Sequence, residues 1–292
     1  MLKSMTGYGK GEVSSFKGDF LVEIRSVNHR YGEVSIKMPR SFMALENEVK
    51  RLVLSVIKRG KIDVFVQWTE AATSDTIPRI DHVAARSYRE AFSTLADELQ
   101  LAREIPLTLI VSQRGVMKDA ALSVDETEYQ PVLLAAVRSA VEAIDAMRER
   151  EGDALVVDLM ARRRQVAEWV GVISERAPAV VLEYRQKLTA RLDLLLEGKE
   201  MDEARLAQEV ALMADRSDIT EELVRLASHF SQFDETLLMP EPVGRKLDFL
   251  MQEMNREVNT IGSKSNDVEI TTLVIRIKAE MEKMREQVQN VE

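Results

Sequence analysis

The sequence has no cysteine among its 292 residues, which excludes a disulfide framework and any thiolate-bound zinc. With three histidines it cannot build a histidine-rich metal centre either. Glycine (12) and proline (7) are scarce beside abundant helix formers, so a mostly helical chain is expected. No apolar run approaches the roughly 18 residues that a membrane helix needs. The opening MLKSMTGYGKGEV has no continuous apolar core of the signal-peptide kind, so a cytoplasmic protein is expected. Phosphate-loop, dinucleotide, HExxH and nucleophile-elbow signatures are all missing.

What is present describes a soluble globular chain, 45% apolar and 30% charged, long enough for one large domain or two ordinary ones. A net charge of −9 argues against a grip on nucleic acid along the whole chain. The charge is unevenly spread. Residues 1–70 hold 12 Lys/Arg against 8 Asp/Glu, and the remainder holds 28 against 41. A basic N-terminal part on an acidic helical part suits a protein that holds a polyanion at one end and keeps carboxylates elsewhere.

The N-terminal part reads as strands. KSMTGYGKGEV opens with turn-prone residues around Gly7, Gly9 and Gly11. DFLVEIRSVN and YGEVSIKM alternate apolar and polar positions. A helix with Leu45, Val49, Leu52, Val53 and Val56 on one face follows Pro39. RGKIDVFVQWTE returns to strand, and a helix from about 81 to 101 carries Tyr88, Phe92, Leu95 and Leu99. This β3-α-β-α order resembles the second domain of ribosomal protein S5, an analogy of fold that says little about chemistry. From about residue 128 the pattern is helical, with candidate helices 128–150, 151–175, 179–198, 203–214, 217–239, 243–261 and 267–291, and with breaks at Pro178 and at Pro240–Pro242. The expected organisation is therefore α+β and mostly helical, with an α+β domain over 1–125 and a helical domain over 126–292.

Three constellations carry chemistry. In GRKLDFLMQEMNREVNTIGSKSND, 244–267, helical spacing puts Leu247, Leu250, Met251, Met254, Val258 and Ile261 in one apolar sector. Lys246, Glu253, Glu257 and Lys264 line one flank of it, and Asp248, Asn255 and Asn259 line the other. Carboxylates at i and i+4 repel, and a cation between them relieves this, whether lysine, arginine or a divalent metal. Salt bridges between helices explain the same spacing. Upstream, Asp218, Glu222, Arg225 and His229 run along one edge of a second amphipathic helix, suited to acid–base work or metal binding, or simply to structure. In EIRSVNHRYGEV, Arg25, Asn28, His29, Arg30 and Tyr31 mix basic and aromatic character near a strand end, as RNA contacts or as charges guarding an edge strand. The nearby KRGK, 58–61, adds a candidate phosphate contact. The runs MRERE, 147–151, and ARRRQ, 161–165, read as solvated helix faces. The last helix repeats apolar residues at 270, 273, 277, 281, 284 and 288, a seam that buries against another helix and is a candidate for self-association.

The strings MTGYG at 5–9, EIRSVNHRY at 23–31, REREG at 148–152, GRKLDFLMQEMNREVNTIGSKSND at 244–267 and KAEMEKMREQVQNVE at 278–292 resemble the YicC-like family of bacterial proteins, over essentially the whole chain. The weakest match is around 70–130, including SQRGVMKDAALSVDE. The resemblance implies a metal-dependent endoribonuclease of the cytoplasm that acts on small or structured RNA. It implies a ring-like homo-oligomer, a hexamer, whose opening admits RNA. The family motif falls here on Lys246, Glu253, Asn255, Arg256, Glu257, Asn259 and Lys264.

The expected chemistry is phosphodiester hydrolysis. Glu222, Glu253 and Glu257 are the expected ligands of Mn²⁺ or Mg²⁺, since a hard ion suits carboxylates. Lys246, Arg256 and Lys264 balance charge, His229 protonates the leaving oxygen, and Arg25, Asn28, His29 and Arg30 guide RNA. The competing expectation is a non-catalytic RNA clamp that recruits another ribonuclease, which makes other RNA-decay proteins candidate partners.

Overall fold

In the computed structural model the described residues are 2–16, 18–29, 31–71, 79–102, 104–118, 126–196, 201–239 and 242–292. The first four strands are β1 (Gly7–Ser15), β2 (Gly18–Val27), β3 (Gly32–Lys37) and β4 (Gly60–Glu70), joined between β3 and β4 by a 3-10 turn (Arg40–Leu45) and α1 (Glu46–Val56). They form one sheet in the order β1-β2-β4-β3, antiparallel except for the parallel pair β3 and β4. The alternation in the sequence sets the register. Phe20, Val22 and Ile24 of β2 share the buried face with Ile62, Val64 and Val66 of β4.

The expected helix near 81–101 forms as α2 (His82–Glu98), between the short strands β5 (Arg79–Ile80) and β6 (Met117–Lys118), with α3 (Leu107–Val111) before β6. It does not cover the sheet, because it buries none of its residues. The covering helix is the first part of α4 (Glu126–Leu196), whose Leu133, Ala136, Val137, Ala140 and Ile144 join the sheet's core. The glycines read as turn-prone make this possible. A Cβ on Gly9 would lie 2.2 Å from the Ala140 carbonyl oxygen, and one on Gly11 would lie 2.1 Å from that of Ala136. Only glycine lets β1 lie this close to a helix backbone.

α4 runs for 71 residues and absorbs the three helices expected over 128–198. Pro178 does not break it. Beside it the Arg176 guanidinium holds Glu183 at 2.5 Å and Asp267 at 2.8 Å, contacts that brace this turn of the helix. The chain continues as α5 (Glu203–Arg216), α6 (Thr220–Leu237), α7 (Gly244–Lys264) and α8 (Val268–Val288). Leu159, Val166 and Ile173 of α4 meet Leu226, Phe230 and Phe233 of α6, Leu250 and Met254 of α7, and Ile277 and Met281 of α8 in a second core. All six seam residues of α8 are buried in this core, so the seam packs within the protomer.

The two charge runs, read as solvated faces, are exposed at most of their positions, but particular arginines in each turn inward. Arg148 is 1% exposed; it donates to the Ser4 carbonyl at 2.7 Å and to the Glu292 carboxylate. Around it residues 3–5 pair with 290–292, Met5 N–H to Asn290 O at 2.8 Å and Glu292 N–H to Lys3 O at 2.9 Å. Arg162 and Arg163 pair with Glu280 and Asp234, tying α4 to α8 and α6. Sequence polarity placed these arginines outside; a carboxylate or carbonyl on a distant element holds each of them in.

Candidate active site

α6 and α7 lie side by side with their apolar sectors in the second core, which brings the two flanks predicted from spacing against each other. Glu222 is 5% exposed and Glu257 4% exposed. Each is met by a cation from the other helix. Lys264 Nζ donates to Glu222 Oε1 at 2.7 Å and to the Asp218 carbonyl at 2.9 Å, while Arg225 Nη1 stands 3.7 Å from Glu257 Oε1. Arg225 also holds Glu221 at 2.5 Å on its own helix. Among the described residues the second oxygen of Glu222, Oε2, is buried with no hydrogen-bond partner, and so is Nδ1 of His229, two turns further along the same edge of α6. A buried acceptor without a donor is costly, which sets this oxygen apart from the paired carboxylate atoms around it.

The start of α6 is fixed by Asp218, whose carboxylate accepts from the Thr220 N–H at 2.9 Å. Hydrogen bonds from the Thr220 side chain and backbone hold that carboxyl below the ordinary aspartate range. Glu253 is half-buried and unpaired among the described residues. Lys246 is exposed, with its Nζ 3.5 Å from the Met239 sulfur. Among the described residues no group of three or more His, Asp and Glu side chains stands together as a metal site. The oxygen donors suit a hard divalent ion in kind, but in the protomer an ion at Glu222 or Glu257 would take the place now held by Lys264 or Arg225.

The other flank of α7 faces α8 and is open. A cavity of about 550 Å³ is lined by Gln252, Asn255, Arg256, Asn259, Ser263 and Arg285, among others. Asn255 and Asn259 make no side-chain hydrogen bond among the described residues. Arg285 escapes notice in the sequence because it sits on the flank of the α8 seam, where only its partner helix reveals what it faces.

The strand-end residues stand apart from the carboxylates. Arg25 is exposed, its guanidinium 5.7 Å from the centre of the Tyr8 ring. The exposed His29 turns its Nδ1 to the Tyr31 carbonyl oxygen at 3.1 Å. Asn28 donates to the Gln289 carbonyl at 2.9 Å and so ties β2 to the end of α8. Arg30 lies outside the described residues. Comparison with known proteins covers the chain almost end to end. Residues 2–156 match the family model described as Endoribonuclease YicC-like, N-terminal region, and residues 173–292 match that described as Endoribonuclease YicC-like, C-terminal. A protein of Clostridioides difficile (strain 630) named Probable endoribonuclease YicC is 38% identical over 293 aligned residues, covering all of both chains. A protein of the same name from Haemophilus influenzae is 33% identical, again over the full length of both. The chain therefore belongs to the YicC-like endoribonuclease family.

Proposed function

We propose that this protein is an endoribonuclease that hydrolyses phosphodiester bonds in small or structured RNA, with its reacting centre on the carboxylate flank between α6 and α7. The observation that carries the reading is the pair of buried carboxylates, Glu222 and Glu257, one with an oxygen left unpartnered. Such a group is poised to bind a cation or exchange a proton. Glu222, Glu253 and Glu257 would hold Mn²⁺ or Mg²⁺ only once drawn together in place of Lys264 and Arg225, and the bound ion would then supply charge that polarises a phosphoryl oxygen. Lys264 positions Glu222. Lys246 and Arg256, both exposed and free of carboxylate partners among the described residues, balance the charge that grows on the phosphoryl group. His229 gives a proton to the leaving oxygen. The basic end of the sheet, Arg25 to Tyr31, guides the strand. The strand order and α1 support reading the sheet as an RNA-contacting layer similar to the second domain of ribosomal protein S5.

The protein acts in the cytoplasm as a ring-like homo-oligomer, a hexamer. The exposed apolar residues Val83 and Leu95 of α2, with Leu99 just after it, support self-association more than α8 does. No helix among the described residues is long and apolar enough to cross a membrane. The test is cleavage of a labelled structured RNA by the purified protein with Mn²⁺, with Mg²⁺ and after chelation. Internal cleavage that needs a divalent ion is expected. RNA binding without cleavage under every condition would overturn the reading in favour of a clamp that recruits another ribonuclease.

A further inference from the structure

A second, smaller cavity of about 290 Å³ lies where the sheet meets the start of α7. Asn28, Arg59, Gly244, Arg245, Asp248, Arg285 and Gln289 form its polar lining. Three arginines stand there with one carboxylate in the lining, and Arg285 also has Glu282 of its own helix 3.8 Å from Nη1. Asp248 does not satisfy them: its nearest oxygen is 3.9 Å from Arg285 Nε, beyond hydrogen-bond reach. The Nε atoms of Arg59 and Arg285 are both buried without an acceptor. Arg59 and Arg245 pair with no carboxylate among the described residues. The first turn of α7 has no side-chain cap, so its backbone N–H groups add to the donor excess at Gly244.

Converging donors without acceptors call for an anion rich in oxygen. Guanidinium forks match phosphate oxygens bidentately, and RNA carries phosphate as its anion. We propose that this cavity binds a phosphate group of the RNA strand, a proposal that rests on RNA being the substrate. Arg285 is the wall shared with the larger cavity along α7. A strand anchored by its phosphate at Arg59, Arg245 and Arg285 therefore runs on beside Asn255, Arg256 and Asn259, whose amides and guanidinium are free to hydrogen-bond base or ribose edges. The KRGK run of the sequence gains its role here through Arg59 alone, since Lys58 caps α1 by donating to the Leu54 carbonyl at 2.9 Å.

The test measures binding without cleavage, in excess chelator, using a short fluorescent oligoribonucleotide with a 5′-phosphate, a 3′-phosphate or only hydroxyl ends. Arg59→Gln and Arg245→Gln should each weaken binding about tenfold, the value of one charge-assisted hydrogen bond. Each should flatten the slope of log affinity against log salt by about 0.7, as expected for one lost contact to a single strand. Neither arginine pairs with a carboxylate among the described residues, so thermal unfolding should not move, and Arg276→Gln outside the cavity should bind as the parent does. A preference for one phosphorylated end that the double variant abolishes assigns the pocket to a strand terminus. Equal loss with all three probes assigns it to an internal phosphodiester. A double variant with parental affinity and slope for every probe would overturn the proposal, and if the parent still cleaves RNA, the endoribonuclease reading survives that failure. Loss of binding in the variants of a parent that never cleaves would separate the two in the opposite sense.

Discussion

The two flanks of α7 have similar polarity in the sequence and opposite fates in the fold. The flank toward α6 is closed: Glu257 is buried beside Arg225, and Lys264 reaches across to Glu222. The flank toward α8 is open, with unpaired amides and Arg256 and Arg285 around a cavity of about 550 Å³. A helix's own residues thus set how polar its edges are, and the neighbouring helix decides whether an edge becomes a locked charge pair or a surface ready for a ligand. On the reading proposed above, the closed flank carries the chemistry and the open flank the recognition.

The sharpest way to break that division is Glu257→Gln, which keeps shape and removes charge. RNA cleavage should fall by about a hundredfold or more, the usual cost of one group that acts in the transition state, while RNA affinity and the unfolding midpoint stay near the parent's. Equal cleavage rates for the folded variant and the parent would move the chemistry away from this flank. Lys264→Met probes the lock itself. It leaves Glu222 buried and uncompensated, which should cost about 2 kcal/mol of stability, less than for a fully buried pair because the lysine is partly exposed. Denaturant unfolding measures the loss. Adding Glu222→Gln should recover most of it, and a failure to recover would mean that Lys264 acts through the Asp218 carbonyl instead.

On the open flank, Asn259→Ala should leave stability within about 0.5 kcal/mol, as for other exposed positions. It should weaken RNA binding about fivefold, one neutral hydrogen bond's worth. A drop in stability without a change in affinity would make the amide structural and erase the contrast between flanks. An effect of similar size, but one that depends on pH, lies just past the end of α7. Asp267 caps α8 through the Ile270 N–H at 3.0 Å, and its bond from Arg176 holds its carboxyl below the ordinary value of 3.8. A carboxyl lowered in the folded state adds stability above its unfolded value, and this is lost as the pH falls through the folded one. Asp267→Asn should therefore cost about 1 kcal/mol near neutral pH, and the gap to the parent should narrow as melting is followed from about pH 6 to pH 3. A gap that stays constant with pH would assign the cost to the cap geometry rather than to the charge.

Much of the fold was legible because its signals are local. Alternation in 19–28 and 60–70 gave β2 and β4, and the apolar sector of 244–261 gave α7 with both flanks correctly sided. What failed was information held by a distant partner. The α8 seam has a clear period, but nothing in the period says whether its hole is on another helix of the same protomer or on a second copy. Pro178 reads as a stop, since the Asp267 that braces the turn through Arg176 lies far along the chain. Glycine spacing in GYGKG shows where side chains are missing but not that Ala136 and Ala140 fill the gap. In the site, Glu222, Glu257 and Lys264 were found because helical spacing aligns them, whereas Arg245 and Arg285 become visible only once α7, α8 and the sheet meet.

The buried Arg148 has a further consequence, for the order in which the molecule is completed. Its guanidinium joins Ser4, near the start of the chain, to Glu292, and the backbone of 3–5 pairs with 290–292. During translation the sheet and the first part of α4 can assemble early, because all of their core residues lie before residue 145. The buried cation then waits, short of its only carboxylate partner among the described residues, until Glu292 folds back against the strand at residues 3–5. Docking of residues 290–292 therefore completes the N-terminal part of the molecule as well as the helical part.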